Sequence, residues 1–458
     1  LRLERSRARG MAEGALHEAA LAQLAAGDAR DAAATATRLV ALNPYDENFH
    51  ELLIRCHVEA GDREAARACG AACVDLMRRE LGRDPSPAVV AAAEPEPERA
   101  APAPGRASAQ AQLEVGTRAA ESGAIEAGIA TLRGAVQAAA DGGHDDLLAR
   151  ALFALGYALV HSLKGRDEEG AMLLRRAALV AQSCGDAETS ASAFRELAYV
   201  EVIAGRYERA LSLLGRVRTA AEGNSCELAA MDSISGMALA DTGRSADAAQ
   251  HLDRAIAEAE EAGELRWLAY ALSLRGRLEA ERGELAQAHA TLSRSLQITV
   301  DDGWLQFVPW PEALLAEVEI ALGEREVAGD RLEHAYALGL HFHDPCWEGL
   351  SERGLALLEP DPAVAIDRLD HARRRSLESA DGYRWVGAHA LDALCAKAIE
   401  EGDERAEAWV AELHELAGRT GMREFAASAY RHEAALGRPG ALEAAHTLAH
   451  TDALKAAS

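Results

Sequence analysis

Beyond residue 108 the hydrophobic pattern of this chain repeats with a period near 40 residues. Glycines close helical stretches at 123, 165, 205, 243, 283 and 323, at spacings of 42, 40, 38, 40 and 40. Five residues after each comes a small residue: Gly128, Gly170, Ala210, Ala248, Ala288 and Ala328. Nine after each comes leucine without exception: Leu132, Leu174, Leu214, Leu252, Leu292 and Leu332. Twelve after each stands Ala135, Ala177, Val217, Ala255, Ser295 or Ala335. Offsets of 5, 9 and 12 advance by 4 and 3, which keeps the three positions on one face of an α-helix. The pattern predicts antiparallel helix pairs. The glycine reverses the chain, the small residue lets the second helix approach the first, and leucine fills the space between neighbouring pairs. A pair of this kind cannot bury its apolar face alone, so successive pairs must stack.

The register continues less cleanly. Pro360 can stand at a turn, with Ala365, Leu369 and Ala372 at the three offsets, and Glu401-Gly402-Asp403 makes the next, followed by Ala406, Val410 and Leu413. A last turn falls near Gly437-Arg438-Pro439-Gly440, for nine helix hairpins in all over 109–458. Upstream, Gly27 and Gly61 stand 34 apart, with Ala32 and Ala66 five residues beyond them, so residues 11–81 follow the same hairpin logic. Between the two regions, residues 84–108 hold six prolines among Ala, Glu and Gly without apolar periodicity. That composition predicts an extended linker over 90–108.

The repeated unit is similar to the tetratricopeptide repeat, although a period near 40 exceeds the usual ~34. The fold expected is therefore all-α: a helix-hairpin segment at 1–89, a Pro/Ala/Glu linker at 90–108, and a tetratricopeptide-like α-solenoid at 109–458. A second resemblance lies in the first segment. Leu42-Asn43-Pro44, the His50–Arg55 helix, Gly61-Asp62, and Arg79-Glu80-Leu81-Gly82 closed by Pro85-Ser86-Pro87 occur in that order. The string resembles the closing part of the bacterial transcriptional activator domain. In regulators of the Streptomyces antibiotic regulatory protein type, that domain follows a winged-helix DNA-binding domain. The resemblance covers about a fifth of the chain, roughly residues 1–89, and implies a role in transcription for that segment. The stop at Gly82–Pro87 and the linker behind it are expected to detach this segment from the array.

Composition narrows the partners. Apolar residues make up 49% and aromatics only 4%, so the core must be built from Ala, Leu and Val in closely packed helices. The net charge of −26 weighs against nucleic-acid binding, which needs a clustered Lys/Arg surface. The best basic runs, Arg2, Arg5, Arg7 and Arg9 and then Arg373-Arg374-Arg375, are short and read as solvated helix faces. Seven scattered cysteines without a CxxC pair fit reduced thiols in the cytoplasm. No apolar run approaches the ~20 residues of a membrane span. Leu1 opens inside a helical pattern, so the chain reads as a fragment whose upstream part is absent.

No catalytic pattern is present, and no catalytic, cofactor-binding or metal-ligating residue is assigned. GxxxxGK[ST], GxSxG, HExxH and spaced Cys/His zinc patterns do not occur. His341, His343, Asp344 and Cys346 crowd one turn, and His446 and His450 stand four apart, but turn and surface positions account for both groups. The aromatics carry more. Trp267, Trp304, Trp347 and Trp385 fall near the start of successive first helices, with Phe307, Trp310 and Tyr383 close by. First helices of such hairpins line the concave face of a solenoid, where tryptophan either caps the core between repeats or presents a ligand or partner surface. The stretch 304–311, WLQFVPWP, breaks the ordinary helical start with two prolines and is the candidate for a specialised pocket wall.

Three functions fit. The leading one is the regulatory and signal-sensing portion of a transcriptional activator. Its DNA binding would come from an upstream winged-helix domain. Its partners would be a protein or small-molecule effector on the solenoid, the transcription machinery, and a second copy in a homodimer. The others are a scaffold or adaptor, and the regulatory arm of an enzyme whose catalytic domain lies outside the chain. An upstream winged-helix pattern would favour the first, catalytic motifs there the third, and a start codon near Met11 the second.

Overall fold

The computed structural model describes residues 2–93 and 105–456, with side chains described for 3–92 and 105–448. Pro95, Pro97, Pro102 and Pro104 of the predicted linker, and the side chains of Arg2 and His450, lie outside the described residues. The described residues form twenty-three α-helices and no strand. They divide into two compact units, one of residues 11–200 and one of residues 1–10 with 201–458.

In the unit 11–200, α1 (Arg2–Ala25) leads to α2 (Ala29–Leu42), α3 (Glu47–Glu59) and α4 (Arg63–Leu76). Asp46 and Asp62 cap α3 and α4 by accepting hydrogen bonds from the Asn48 and Ala65 amides. A π-helical turn, Met77–Leu81, extends α4 and ends at Gly82 in the left-handed region. The Glu47 carboxylate accepts hydrogen bonds from the Ser86 amide and the Arg83 guanidinium, which ties the stop back to the start of α3. The short α5 (Pro87–Ala93) consequently folds onto α3 and α4, placing Val89 and Ala92 in one core with Ile54, Ala66, Cys73 and Met77. Two hairpins follow: α6 (Arg106–Glu121) with α7 (Ile125–Asp141), then α8 (Asp145–His161) with α9 (Asp167–Cys184). Leu113, Leu132, Leu155 and Leu159 pack together between them.

The expected detachment of the first segment is not met. Within this unit, helices α1 and α3 meet α9 through charged side chains. His17, fully buried, lies 2.7 and 2.9 Å from the two carboxylate oxygens of Glu168. Arg55 spans Glu51 and Glu169, each at 2.8 Å, and Arg175 pairs with Glu18. Glu169 also accepts from Arg133 at 2.6 Å and Arg166 at 3.1 Å. The pairs His17–Glu168, Arg55–Glu169 and Arg175–Glu18 join residues 114 to 157 apart in sequence, so no periodic pattern announces them.

Past α10 (Ala187–Ile203), the second unit runs through α11 (Tyr207–Val217), α12 (Ser225–Asp241), α13 (Ser245–Ala262), α14 (Leu265–Glu281) and α15 (Leu285–Asp301). It continues with α16 (Pro309–Leu322), α17 (Arg325–Phe342), α18 (Pro345–Leu358), α19 (Pro362–Leu377), α20 (Arg384–Glu401), α21 (Ala406–Thr420), α22 (Arg423–Ala435) and α23 (Ala441–Ala456). In both units the repeat positions read from sequence are interior. Leu132, Leu174, Leu252, Leu292 and Leu332 are fully buried and Leu214 is 3% exposed. Gly283 and Gly323 turn the chain at φ 76° and 90°, a region in which an L side chain is strained.

Candidate functional site

The candidate aromatics all belong to the second unit, where the structure joins them into one connected series. The WLQFVPWP stretch explains how. Pro309 and Pro311 sit in the first turn of α16, where the missing amide hydrogens cost nothing. The preceding residues form turns rather than helix, and this lays the Trp304 ring on Phe307, stacked at 4.3 Å. Tyr270 connects Trp267, edge-on at 5.7 Å, to Phe307 at 5.5 Å. Phe307 then meets Trp347 at 6.2 Å, and Trp347 meets Trp310 at 5.5 Å. Trp310 in turn touches Tyr383 at 6.1 Å and Trp385 at 6.2 Å. Exposure differs along this series. Trp267, Trp304 and Trp347 are partly exposed, whereas Phe307, Trp310, Tyr383 and Trp385 are buried. Trp310 donates its indole N–H to the Ser273 hydroxyl at 3.0 Å, which fixes the ring orientation.

At its buried end the aromatic series meets a charge cluster that the sequence did not single out. The Arg277 guanidinium on α14 lies 4.2 Å above the Trp385 ring. Its Nη2 donates to Asp241 Oδ1 at 2.6 Å and its Nη1 to the Tyr383 hydroxyl at 3.1 Å. Tyr383 donates in turn to Asp241 Oδ2 at 2.6 Å, across 142 residues of sequence. Asp241 closes α12 and Tyr383 precedes α20, so the cluster ties the end of one helix to the start of another. Side-chain exposures of 2% for Arg277 and 0% for Asp241 place the pair away from water. Burial raises the Asp241 carboxyl above its ordinary range, with Arg277 pulling the other way. The Tyr383 and Tyr207 phenols are pushed well up, first by burial and then by the Asp241 charge. Glu281 lies 3.6 Å from Arg277 Nε, and burial raises it to about 8 against the pull of Arg277, with Glu424 adding to the rise.

One signal could have revealed this cluster. Every residue of α12 from Ala229 to Asp241 is buried, so its sequence has no polar face on which Asp232 and Asp241 could be solvated. A charge in such a helix must find a partner. Asp232 finds Arg218 at 2.8 and 2.9 Å, with His251 at 2.5 Å and Arg254 at 3.2 Å, and although burial opposes it, these donors hold its carboxyl below the usual range.

A second polar series runs along the first helices α16, α18, α20 and α22. Glu317 pairs with Arg353 and lies 3.0 Å from His389 Nε2, and the His389 ring stacks on Trp385 at 4.7 Å. Burial alone would raise Glu317, but Arg353 and His389 carry it down to about 2. Asp392 is held by His432 at 2.8 Å and by the Ser428 hydroxyl at 2.5 Å.

The remaining candidates have local roles. His343 ends α17 in the left-handed region, and Asp344 caps α18 by accepting from the Cys346 and Trp347 amides. Arg373, Arg374 and Arg375 are all ion-paired, to Asp370 and Glu412, to Asp370, and to Glu348. Arg9 reaches Glu415 at 3.4 Å. His289, Glu319 and Glu324 bring three ligand atoms within 4.8 Å of one another, but Arg331 already grips Glu319 at 3.0 to 3.2 Å and sets a positive charge beside the position a cation would take. No helix among the described residues is long and apolar enough to cross a membrane.

Residues 1–94 match the family described as the bacterial transcriptional activator domain. No curated protein sequence matches the chain. Among solved structures it is similar to the Rap conjugation gene regulator of the plasmid pLS20 in complex with the Phr* peptide. That likeness has 13% identity and a TM-score of 0.49 over 71% of this chain and 99% of the other. Aspartyl phosphate phosphatase F from Bacillus subtilis aligns at 12% identity with a TM-score of 0.46, over 89% and 94%. A signal-transduction ATPase with numerous domains and a tetratricopeptide repeat sensor, from Pyrococcus horikoshii, aligns at 16% identity with a TM-score of 0.44, over 77% and 54%.

Proposed function

We propose that the chain is the regulatory and signal-sensing portion of a transcriptional activator. Residues 1–89 act as the activator domain and the hairpins of 109–458 receive the signal, joined by the segment 90–108. The observation that carries this reading is the activator-domain match at residues 1–94, on a segment that folds into one compact unit with the first hairpins through the His17–Glu168 and Arg55–Glu169 contacts. DNA recognition is assigned to an upstream winged-helix domain, as in the regulators that the first segment resembles. A net charge of −26 disfavours phosphate binding by the chain itself, and its Arg373–Arg375 run is spent on internal carboxylates.

The effector is assigned to the aromatic series of the second unit, where partly exposed Trp267, Trp304 and Trp347 lead inward to the Arg277 cluster. An effector acts there by binding one arrangement of these helices better than another, since a ligand indifferent to the two shifts nothing. The role is regulatory and not catalytic. Transcript profiles of a strain lacking the protein and of the complemented strain test the reading. A defined set of transcripts that changes on deletion and returns on complementation is expected. Identical profiles would overturn it in favour of a scaffold.

A further inference from the structure

The Arg277–Asp241 pair is hard to explain as a source of stability. Burying two charges costs several kcal/mol per ion, and well-packed apolar residues of similar volume usually serve a fold as well or better. Here the pair is placed where the aromatic series ends. The guanidinium and the Tyr383 hydroxyl together grip both oxygens of one carboxylate, at 2.6 Å each, over the face of a tryptophan. A planar fork with a second donor on an aromatic floor is the arrangement by which proteins recognise a carboxylate on a ligand.

We propose that Asp241 fills, from within the chain, a carboxylate-binding site formed by Arg277, Tyr383 and Trp385, and that an effector bearing a carboxylate on a flat apolar body takes its place. This rests on the reading of the hairpins as the effector-receiving part of the protein. The charge of the ligand follows from the cluster. One guanidinium balances one negative charge, and it leaves the second charge of a phosphate without a counter-charge in a site away from water. The apolar body follows from the surroundings. Trp310 lies 6.2 Å from Trp385, and the ring stacked on Trp385 at 4.7 Å belongs to His389, whose proton affinity burial lowers.

Exchange of Asp241 for the ligand has a structural consequence. With Asp241 in place, the end of α12 is bound to the start of α20. With an external carboxylate in the fork, α12 is released while Arg277 and Tyr383 keep their partner. The tethered carboxylate is always at high local concentration, so a bare acid competes poorly and the apolar contacts must supply the difference.

The full chain carrying Asp241→Ala, titrated with acetate, 3-phenylpropionate and the neutral 3-phenylpropionamide by calorimetry and thermal melting, tests the proposal. The variant is expected to bind 3-phenylpropionate at least about tenfold more tightly than the unaltered chain does, a difference of about 1.4 kcal/mol. Acetate should bind more weakly, the amide should not bind, and a further Arg277→Met should abolish all binding. If the alanine variant does not fold, Asp241→Asn keeps the volume and removes the competing charge, and the same acids must raise its melting temperature while the amide does not. No carboxylate binding by the folded variant, or equal binding of acid and amide, would overturn the site. Acid binding combined with transcript profiles indifferent to the protein would instead overturn the regulatory reading and leave the site standing.

Discussion

A Cβ added to Gly236 would lie 2.6 Å from Cγ of Leu252, closer than such atoms approach one another in proteins. The same relationship holds between Gly276 and Leu292 at 2.6 Å, Gly116 and Leu132 at 2.8 Å, and Gly156 and Leu174 at 2.8 Å. In these four hairpins the leucine on the second helix therefore enters a notch left by a glycine on the first. Gly236→Val should destabilise the protein by about 2–3 kcal/mol through overpacking and forced backbone shifts. Gly263→Ala, in a turn at φ 70° with open space around it, should cost only about 1 kcal/mol. Denaturant unfolding of the two variants side by side checks the difference.

Leu252 is fully buried, and so Leu252→Asp puts a carboxylate between stacked hairpins with no partner. Loss of helicity well beyond one hairpin is expected by circular dichroism, because each hairpin depends on its neighbours for its core. Full helicity and an unchanged melt would mean that the leucine position has been misassigned.

Glu281 makes stability pH-dependent on the neutral and alkaline side. Its carboxyl is raised to about 8, from 4.5, so the folded chain holds a proton that the unfolded chain has released between those values. Stability therefore falls as pH rises from about 4.5 to about 8 and is flat above. Glu281→Gln removes this slope. The variant should match the parent near pH 5 and exceed it by about 1–2 kcal/mol at pH 8, as measured by denaturant unfolding at both values.

Glu317 acts in the opposite sense. Arg353 and His389 lower it to about 2, so its contribution is complete above about pH 4.5 and is lost as pH falls towards 2. Glu317→Gln should cost about 2 kcal/mol at pH 7, and its stability should decline less than the parent's between pH 4.5 and 2.

Arg55 holds Glu51 and Glu169 in the contact between the activator helices and α9. Burial already raises Glu51 to about 7 against the pull of Arg55. Arg55→Met strands the Glu51 carboxylate, while Glu169 keeps Arg133 and Arg166, and should cost about 3 kcal/mol. Hydrogen exchange should show faster opening in α3 and α9, with α18 and α19 unaffected.

The repeat was legible because leucine recurs at one offset and because turn glycines leave a fixed mark. The glycine notch was legible too, although unread: Gly116, Gly236 and Gly276 each stand seven residues before a turn glycine. The aromatics were visible as residues but not as a connected series, since stacking depends on how neighbouring hairpins pack. Asp241 stood out only as a charge in an apolar helix, and its partner Arg277, like Glu168 and His17, was beyond reach. Their partners lie 36 to 151 residues away, and a buried pair has no period. The Gly82–Pro87 stop misled for a related reason. Prolines and a glycine suggested separation, while Glu47, 39 residues upstream of Ser86, turns the stop into a return onto α3.

As proposed, these residues regulate transcription without themselves reading DNA. Quantitative retention of the target promoter fragment, with unrelated DNA as competitor at physiological salt, tests this most directly. Residues 1–458 alone should show no preference for the promoter, and the same residues preceded by a winged-helix domain should show one. Specific promoter binding by residues 1–458 alone would contradict the account.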